Sequence, residues 1–420
     1  MNIIFSDNKL IKKIKNNLFP FYRSKEIKKL FSILKEGQPK NKKVAMFVGG
    51  CVRKYLENDE VDDIDIATVY TPEQIQDLIK DKEIRFIETG IEHGSIILII
   101  NNFKFEITTL RKDIKTDGRH AIVDYTDNWQ EDSERRDFTI NSIYMDQNGK
   151  IFDPQSGVKD LKNQIIKFIG DPGKRIEEDY LRIIRYIRFV LLYNSEVDSH
   201  TNELVKLNLN GIKNISKERI LNELFKILLL KNFKNILKNK DIEKIFLLIF
   251  PEFKHLNRLK KINLLSKSFL LKDYLTLAIM LSDDTDNYEY FCHKYKVSKE
   301  IKNKLKFLST FLNKYQNDKN DFQKDLEKNI YYYGKNNLKD LCTLLFFSEK
   351  KNTIKSFLQT LKNIEKISIP KFPYDGNYLK NKGFVEGKKM GSLLKILELR
   401  WIENNFSLQE KNINQIIKDN

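Results

Sequence analysis

The sequence predicts an α+β fold, on three observations. Every strand-like segment falls between about residues 44 and 169, and everything after about Gly170 repeats at helical spacing. Between Gly173 and Ile369, Pro251 is the single proline, so long helices meet no obstruction there. Residues 44–48 are a short apolar run ending in Gly49-Gly50, which reads as a buried strand breaking into a turn. Residues 95–100 are β-branched and apolar, and Asn101-Asn102 supplies a tight turn because Asn tolerates positive φ. The next strand alternates, with Phe103, Phe105 and Ile107 on one face and Lys104, Glu106 and Thr108 on the other. Farther on, Ile220, Leu221, Leu224, Phe225 and Leu228 form one helical stripe. Similar stripes predict helices over 260–271, 301–312 and 338–347, with the polar stretch 317–328 as a break.

The 420 residues are 41% apolar and 11% aromatic, enough for several compact units. Lys+Arg of 75 against Asp+Glu of 58 gives a net charge of +17, which favours a polyanionic partner such as nucleic acid. A composition heavy in Lys, Asn and Ile would produce the same excess, so charge alone leaves both readings open. Cys51, Cys292 and Cys342 are odd in number and lack CxxC spacing, which argues against a disulfide framework or a zinc site. No secretory signal and no apolar run approaching the ~20 residues of a membrane helix is visible. A cytoplasmic protein without membrane contact is expected.

The chemistry concentrates in FVGGCVRKYLENDEVDDIDIAT, residues 47–68. A strand ending in two glycines before a helix start exposes backbone N–H groups to an anion, and Gly49, Gly50 and Arg53 are placed to meet phosphate there. Asp63 and Asp65 flank Ile64, so on a strand they point to one side. Two carboxylates that close repel unless a cation resolves them, and Mg²⁺ does so with hard oxygen ligands and open positions for phosphate. Glu106 is the candidate third carboxylate. Alone, each pattern is equally a structural turn or a solvated surface pair.

Together they are not alone. GG-x-V-R, DIDIAT (63–68), FEITTLR (105–111) and RRDFTIN (135–141) resemble class II tRNA nucleotidyltransferases and bacterial poly(A) polymerases, members of the polymerase-β-like superfamily. The resemblance continues through DPQSGVKDL (153–161), GDP (170–172), EDYLRIIRYIRF (178–189) and SKERILNELFKIL (216–228), and returns in GKKMGSLLKILELRWI near the C-terminus. It implies a nucleotidyltransferase head with a mixed sheet over residues 37–168, after an N-terminal helical extension (1–36). A helical neck (169–235), body (236–330) and tRNA-binding tail (331–420) would follow.

The resemblance implies that Gly50 and Arg53 bind the triphosphate and that Asp63 and Asp65 bind metal. It further implies that Arg135, Arg136 and Asp137 contact sugar and phosphates, and that Asp179 and Arg182 read the incoming base. Three residues apart, Asp179 and Arg182 are expected as neighbours on one helix face, with Arg185 and Arg188 extending that edge and Ile183, Ile184, Ile187 and Val190 burying the other. Together they offer the acceptors and donor fork that suit C or A and mismatch U and G; an ordinary exposed salt bridge is the plain alternative. Three departures stand out: Lys54 where the family has Asp, Asn58 where it has Gly, and Tyr180 where it has Pro. Lys54 reverses a charge beside the triphosphate site, so Arg53 needs another partner.

Between the two sibling activities, residues 84–100 lack the G-(R/K)-(R/K)-F segment of poly(A) polymerases, and residues 112–139 resemble the intact flexible loop of CCA-adding members, hinged at Asp117-Gly118-Arg119-His120. None of His200, His255 and His293 is followed by Asp, so no HD-type phosphohydrolase domain is expected. The expected activity is addition of C, C and A to tRNA from CTP and ATP with Mg²⁺, and no obligate protein partner. A poly(A) polymerase and a non-catalytic RNA-binding protein on the same scaffold are the alternatives.

Overall fold

Ser95–Ile100 (β4) and Phe103–Thr109 (β5) pair antiparallel across a turn in which Asn101 takes φ 54°. They belong to a seven-stranded sheet in the computed structural model, which describes residues 14, 16, 18–36, 38–39, 42–90, 94–117, 120–266, 269–317, 326–349 and 353–419. The remaining strands are Ala45–Val48 (β1), Ile64–Thr68 (β2), Arg85–Gly90 (β3), Tyr144–Met145 (β8) and Ile151–Phe152 (β9). Their order is β3-β4-β5-β2-β1-β8-β9. β2 and β5 run parallel, and the other neighbours run antiparallel, so the sheet is mixed as expected. Phe105 and Ile107 are buried, while Phe103, at the open end of the strand, stays 40% exposed.

The chain divides into two compact units, residues 1–250 and 251–420. In the first, the helix Lys25–Leu34 starts at Ser24, whose side chain accepts from the Ile27 N–H. It buries Ile27, Leu30, Phe31 and Leu34, and Phe31 meets Phe47 of β1 at 5.0 Å between ring centroids. Residues 112–139 are not one loop. Arg111–Asp117 (β6) and His120–Tyr125 (β7) form an antiparallel ribbon, and the helix Trp129–Glu134 follows; Gly118 and Arg119 of the expected hinge lie outside the described residues. Satisfying the ladder within the ribbon keeps these backbone groups paired without the main sheet.

The helices Pro172–Glu178, Leu181–Tyr193, Ser199–Leu207 and Lys217–Leu228 complete the part of this unit that bears on the site. The first begins at Asp171, which accepts from Lys174 N, with Pro172 in the first turn. It stops at Asp179, whose φ of −156° is extended. Tyr180 opens the next helix, and its ring fills the space left by Gly211, where a Cβ would fall 2.1 Å from it. Ile183, Ile184, Ile187 and Val190 are buried along that helix as expected. Asn58 takes φ 58°, the left-handed geometry that a glycine would otherwise supply.

The second unit is helical among its described residues, with long helices at Lys299–Asn317, Leu326–Ser348, Ile354–Lys366 and Lys388–Glu403. The break expected at 317–328 agrees with a helix end at Asn317 and a start at Leu326; residues 318–325 lie outside the described residues. The helix expected over 260–271 does not form among the described residues. A 3₁₀ helix, Leu256–Leu264, takes its first part, and no helix follows before Asp273 among the described residues. Leu264 and Leu270 are 57% and 70% exposed, so the helical spacing there has no core to face. The three cysteines are free and buried. No described helix is long and apolar enough to cross a membrane.

Candidate active site

Gly49 ends β1 with φ 70°, a conformation L side chains rarely adopt, and the helix Gly50–Leu56 starts immediately after it. β1 pairs antiparallel with β2, which brings Asp65 beside this turn: a Cβ on Gly50 would lie 3.6 Å from Asp65 Oδ2. On the other side, the parallel register of β2 and β5 sets Asp65 opposite Glu106. Asp63 precedes β2 and is exposed. Burial, Glu106 and Asp63 together push the Asp65 carboxyl up to about 6, against the opposing pull of Arg136 and Arg53. Among the described residues no hydrogen bond or ion pair holds the carboxylates of Asp63, Asp65 or Glu106. Asp65 and Glu106 border a cleft of about 290 Å³ whose walls also include Gly49, Arg135 and Arg136, while Asp63 lies outside its lining.

No three His, Cys, Asp or Glu side chains among the described residues gather closely enough to enclose a metal ion. The unpaired, mutually repelling Asp63 and Asp65 nevertheless fit a hard divalent cation of the kind that takes one or two carboxylates and completes its shell with water and phosphate oxygens. Glu106 acts on Asp65 through its charge at the neighbouring strand position.

Across the cleft, the arginines are organised by an acid that the sequence reading did not single out. Asp132 is fully buried and accepts from Arg135 at 2.7 Å, Arg136 at 2.9 Å and the Tyr144 hydroxyl at 2.7 Å. Burial alone would raise its carboxyl, but Arg136 and Arg135 outweigh that and hold it well below the usual carboxylate range. Asp137 is likewise buried, yet Arg185, whose Nε donates at 2.7 Å, and Asn141 bring it down to about 2.

Asp179 and Arg182 do not share one helix face. The chain breaks at Asp179, between two helices, and its carboxylate accepts from Arg219 (2.7 Å) and from the Leu181 N–H. Arg182 pairs instead with Glu178 and donates to the carbonyls of Arg175 and Arg135. Arg188 donates to buried Glu223 at 2.7 Å, and Arg185 lies 3.7 Å from the same acid. Lys54 pairs with Asp62, and Arg53 finds its partner in Asn141 Oδ1. The three guanidinium groups of Arg188, Arg53 and Arg185 lie 4.2, 5.0 and 5.9 Å from the centroid of Phe189.

Comparison with known proteins decides the family. Residues 45–167 match the profile of the Poly A polymerase head domain, and residues 196–256 match the probable RNA- and SrmB-binding site of polymerase A. The mitochondrial CCA tRNA nucleotidyltransferase 1 of Danio rerio is 32% identical over 411 residues, spanning 92% of this chain and 91% of that protein. The chain belongs to the CCA tRNA nucleotidyltransferase family. The Homo sapiens counterpart is 33% identical over 88% of this chain and 85% of its own, and the CCA-adding enzyme of Staphylococcus saprophyticus 32% over 77% and 78%. In structure, the Bacillus stearothermophilus CCA-adding enzyme in complex with CTP superposes with a TM-score of 0.71, covering 94% of this chain and 98% of that one at 20% identity.

In this nucleotidyltransferase the structure gathers Gly49, Asp65, Glu106, Arg135 and Arg136 at one cleft. Arg53, Asp137, Arg185 and Arg188 join a charged chain behind it, and Asp179 and Arg182 stand at a helix junction with partners of their own. Asp132 could have been found from spacing, since it lies three and four residues before the two arginines it holds. Asn141 also carries a short-range signal, bonding Asp137 four residues before it, but the contacts that tie Glu223, Arg219 and Asn141 to the arginines and Asp179 do not. Their partners lie 35, 40 and 88 residues away.

Proposed function

We infer that this enzyme adds C, C and A to the 3′ end of tRNA from CTP and ATP, releasing pyrophosphate. The observation that carries the reading is the cleft in which Asp65 of β2 and the Gly49 turn face Arg135 and Arg136. The tRNA 3′-hydroxyl attacks the α-phosphate in line, forming one ester bond as the bond to pyrophosphate breaks. A divalent cation, Mg²⁺ in our reading, would be held by Asp63 and Asp65 and would neutralise charge on the transferring phosphate. The chain's own residues bind and orient. The N–H groups at Gly49-Gly50 and the guanidinium of Arg53 meet the triphosphate. Buried Nε of Arg53 has no acceptor among the described residues, which suits a donor kept for a ligand oxygen. Asp132 holds Arg135 and Arg136 toward the cleft in advance, so little reorganisation is needed when charge develops.

Asp179 and Arg182 read the base once they exchange Arg219 and Glu178 for the Watson–Crick edge of C or A. The division into head, neck, body and tail is part of this proposal, with tail helices gripping tRNA phosphates. A cytoplasmic setting is supported by three free, buried cysteines, which need no oxidising compartment. The test supplies labelled CTP and ATP, separately and together, to tRNAs ending before CCA, after CC, and complete. We expect two C additions and then one A, and none on the complete tRNA. Long A tails with CTP ignored would identify a poly(A) polymerase instead.

A further inference from the structure

Asn141 ends the RRDFTIN motif and was assigned no role from the sequence, yet two charged groups of the site meet on its amide. Its Oδ1 accepts from Arg53 Nη1, and its Nδ2 donates to Asp137 Oδ1 at 2.6 Å. The residue is 6% exposed, in a 3₁₀ turn, Thr139–Asn141, fixed by its own N–H on the Phe138 carbonyl at 2.8 Å. A primary amide is suited to this position because it accepts and donates at once, on two atoms that share a plane. A carboxylate there could accept from Arg53 but would turn a second acceptor toward Asp137.

Asp137 is satisfied on all sides. Oδ1 takes the Phe138 N–H at 2.9 Å besides Asn141, and Oδ2 takes Arg185 through Nε and Nη2. A sugar hydroxyl reaches this carboxylate only if one of those donors yields. Arg53, for its part, lies with its guanidinium 5.0 Å from the Phe189 ring centroid and its Nη1 on Asn141, while Nε stays without an acceptor among the described residues. The amide and the Phe189 ring therefore fix how the Arg53 guanidinium is oriented.

We propose that Asn141 is a positioning residue of the nucleotide site, holding Arg53 toward the triphosphate through Oδ1 and Asp137 in its seat on Arg185 through Nδ2. This rests on the nucleotidyltransferase reading above. It links the phosphate-binding turn to the helix Leu181–Tyr193 through one side chain that touches no substrate.

The test is steady-state kinetics of CTP addition to a tRNA ending before CCA. Asn141→Ala should raise KM for CTP roughly tenfold, about 1.4 kcal/mol, while kcat changes less than about threefold and KM for tRNA stays put. Because Asn141 acts in part through Arg53, adding Asn141→Ala to Arg53→Ala should raise KM for CTP by less than it does in the parent enzyme. A folded Asn141→Ala enzyme with the parent KM for CTP, or strictly additive effects in the double variant, overturns the proposal. Should Asn141→Ala not fold, isosteric Asn141→Asp carries the test: losing the donor to Asp137 should raise KM for CTP by at least about fivefold, and an unchanged KM overturns it. If the unaltered enzyme incorporates no nucleotide at all, the parent reading has failed, and that result is distinct from either.

Discussion

The two units of this chain spend their charges differently. Residues 1–250 carry 43 Lys+Arg against 38 Asp+Glu, and residues 251–420 carry 32 against 20. In the first unit the key ions are buried and locked together: Asp132 under Arg135 and Arg136, Glu223 under Arg188, Asp137 on Arg185. The second also buries acids, Glu252 with Lys294 and Asp340 with Lys272, but several of its pairs are solvent-exposed, as in Lys380 with Glu386, and its positive excess is the larger. A buried network fixes geometry at the cost of desolvation, whereas an exposed cationic excess attracts a polyanion without fixing anything. In the proposed reading, one unit positions the nucleotide and the other attracts tRNA.

The strongest way to break this contrast is at Asp65. We expect Asp65→Ala to lower nucleotide incorporation by at least about a thousandfold while filter binding of tRNA and thermal stability are retained. Loss of tRNA binding would show that the positioning and attracting roles are not separable. Next in size is Asp132→Ala. It strands two guanidinium groups and should cost about 3–5 kcal/mol in urea unfolding. Glu386→Ala, in the exposed pair of the second unit, should cost less than about 1 kcal/mol, and equal costs would erase the distinction.

Acid sharpens the comparison further. Asp132, Asp137 and Glu223 are each held below their ordinary carboxylate values in the fold. Their stabilisation is therefore present above the unfolded values near pH 4 and is lost as pH falls toward the folded ones, about 2 for Asp137. Urea midpoints measured from pH 5 to 2.5 should fall, and Asp137→Asn should flatten the slope. The smallest effect belongs to the exposed Lys388 and Lys389 of the second unit. Replacing both by Ala should weaken tRNA binding a few-fold and reduce the salt slope by about one to two, with CTP binding unchanged.

Much of the site was legible from local pattern. The Gly49 turn and the alternation placing Glu106 opposite Phe105 and Ile107 each follow from one or two residues of spacing, and β5 keeps that alternation, whereas of the Asp63 and Asp65 pair only Asp65 lies in the strand, which starts at Ile64. The Arg135 and Arg136 pair was visible, but its acid, Asp132, lies in the turn of helix before the motif. The Asp179 and Arg182 pairing failed for a different reason. Helical spacing predicts neighbours only while the helix continues, and here Arg219, 40 residues on, takes the carboxylate and the chain turns extended. The stripe at 260–271 failed likewise, since periodicity promises a helix only where a core exists to receive it.

The sequence by itself determined the chemistry on offer: which acids, arginines and glycines lie within a strand or a turn of one another, and a helical second half. Local sterics and side-chain period set those, and both act over a few residues. Only the tertiary structure decided who pairs with whom. Asp65 faces Glu106 through a parallel strand pairing, Arg53 is seated on Asn141, and Asp179 is given to Arg219. Those choices are made by burial, where each charge takes whichever partner the fold brings within reach once water has gone.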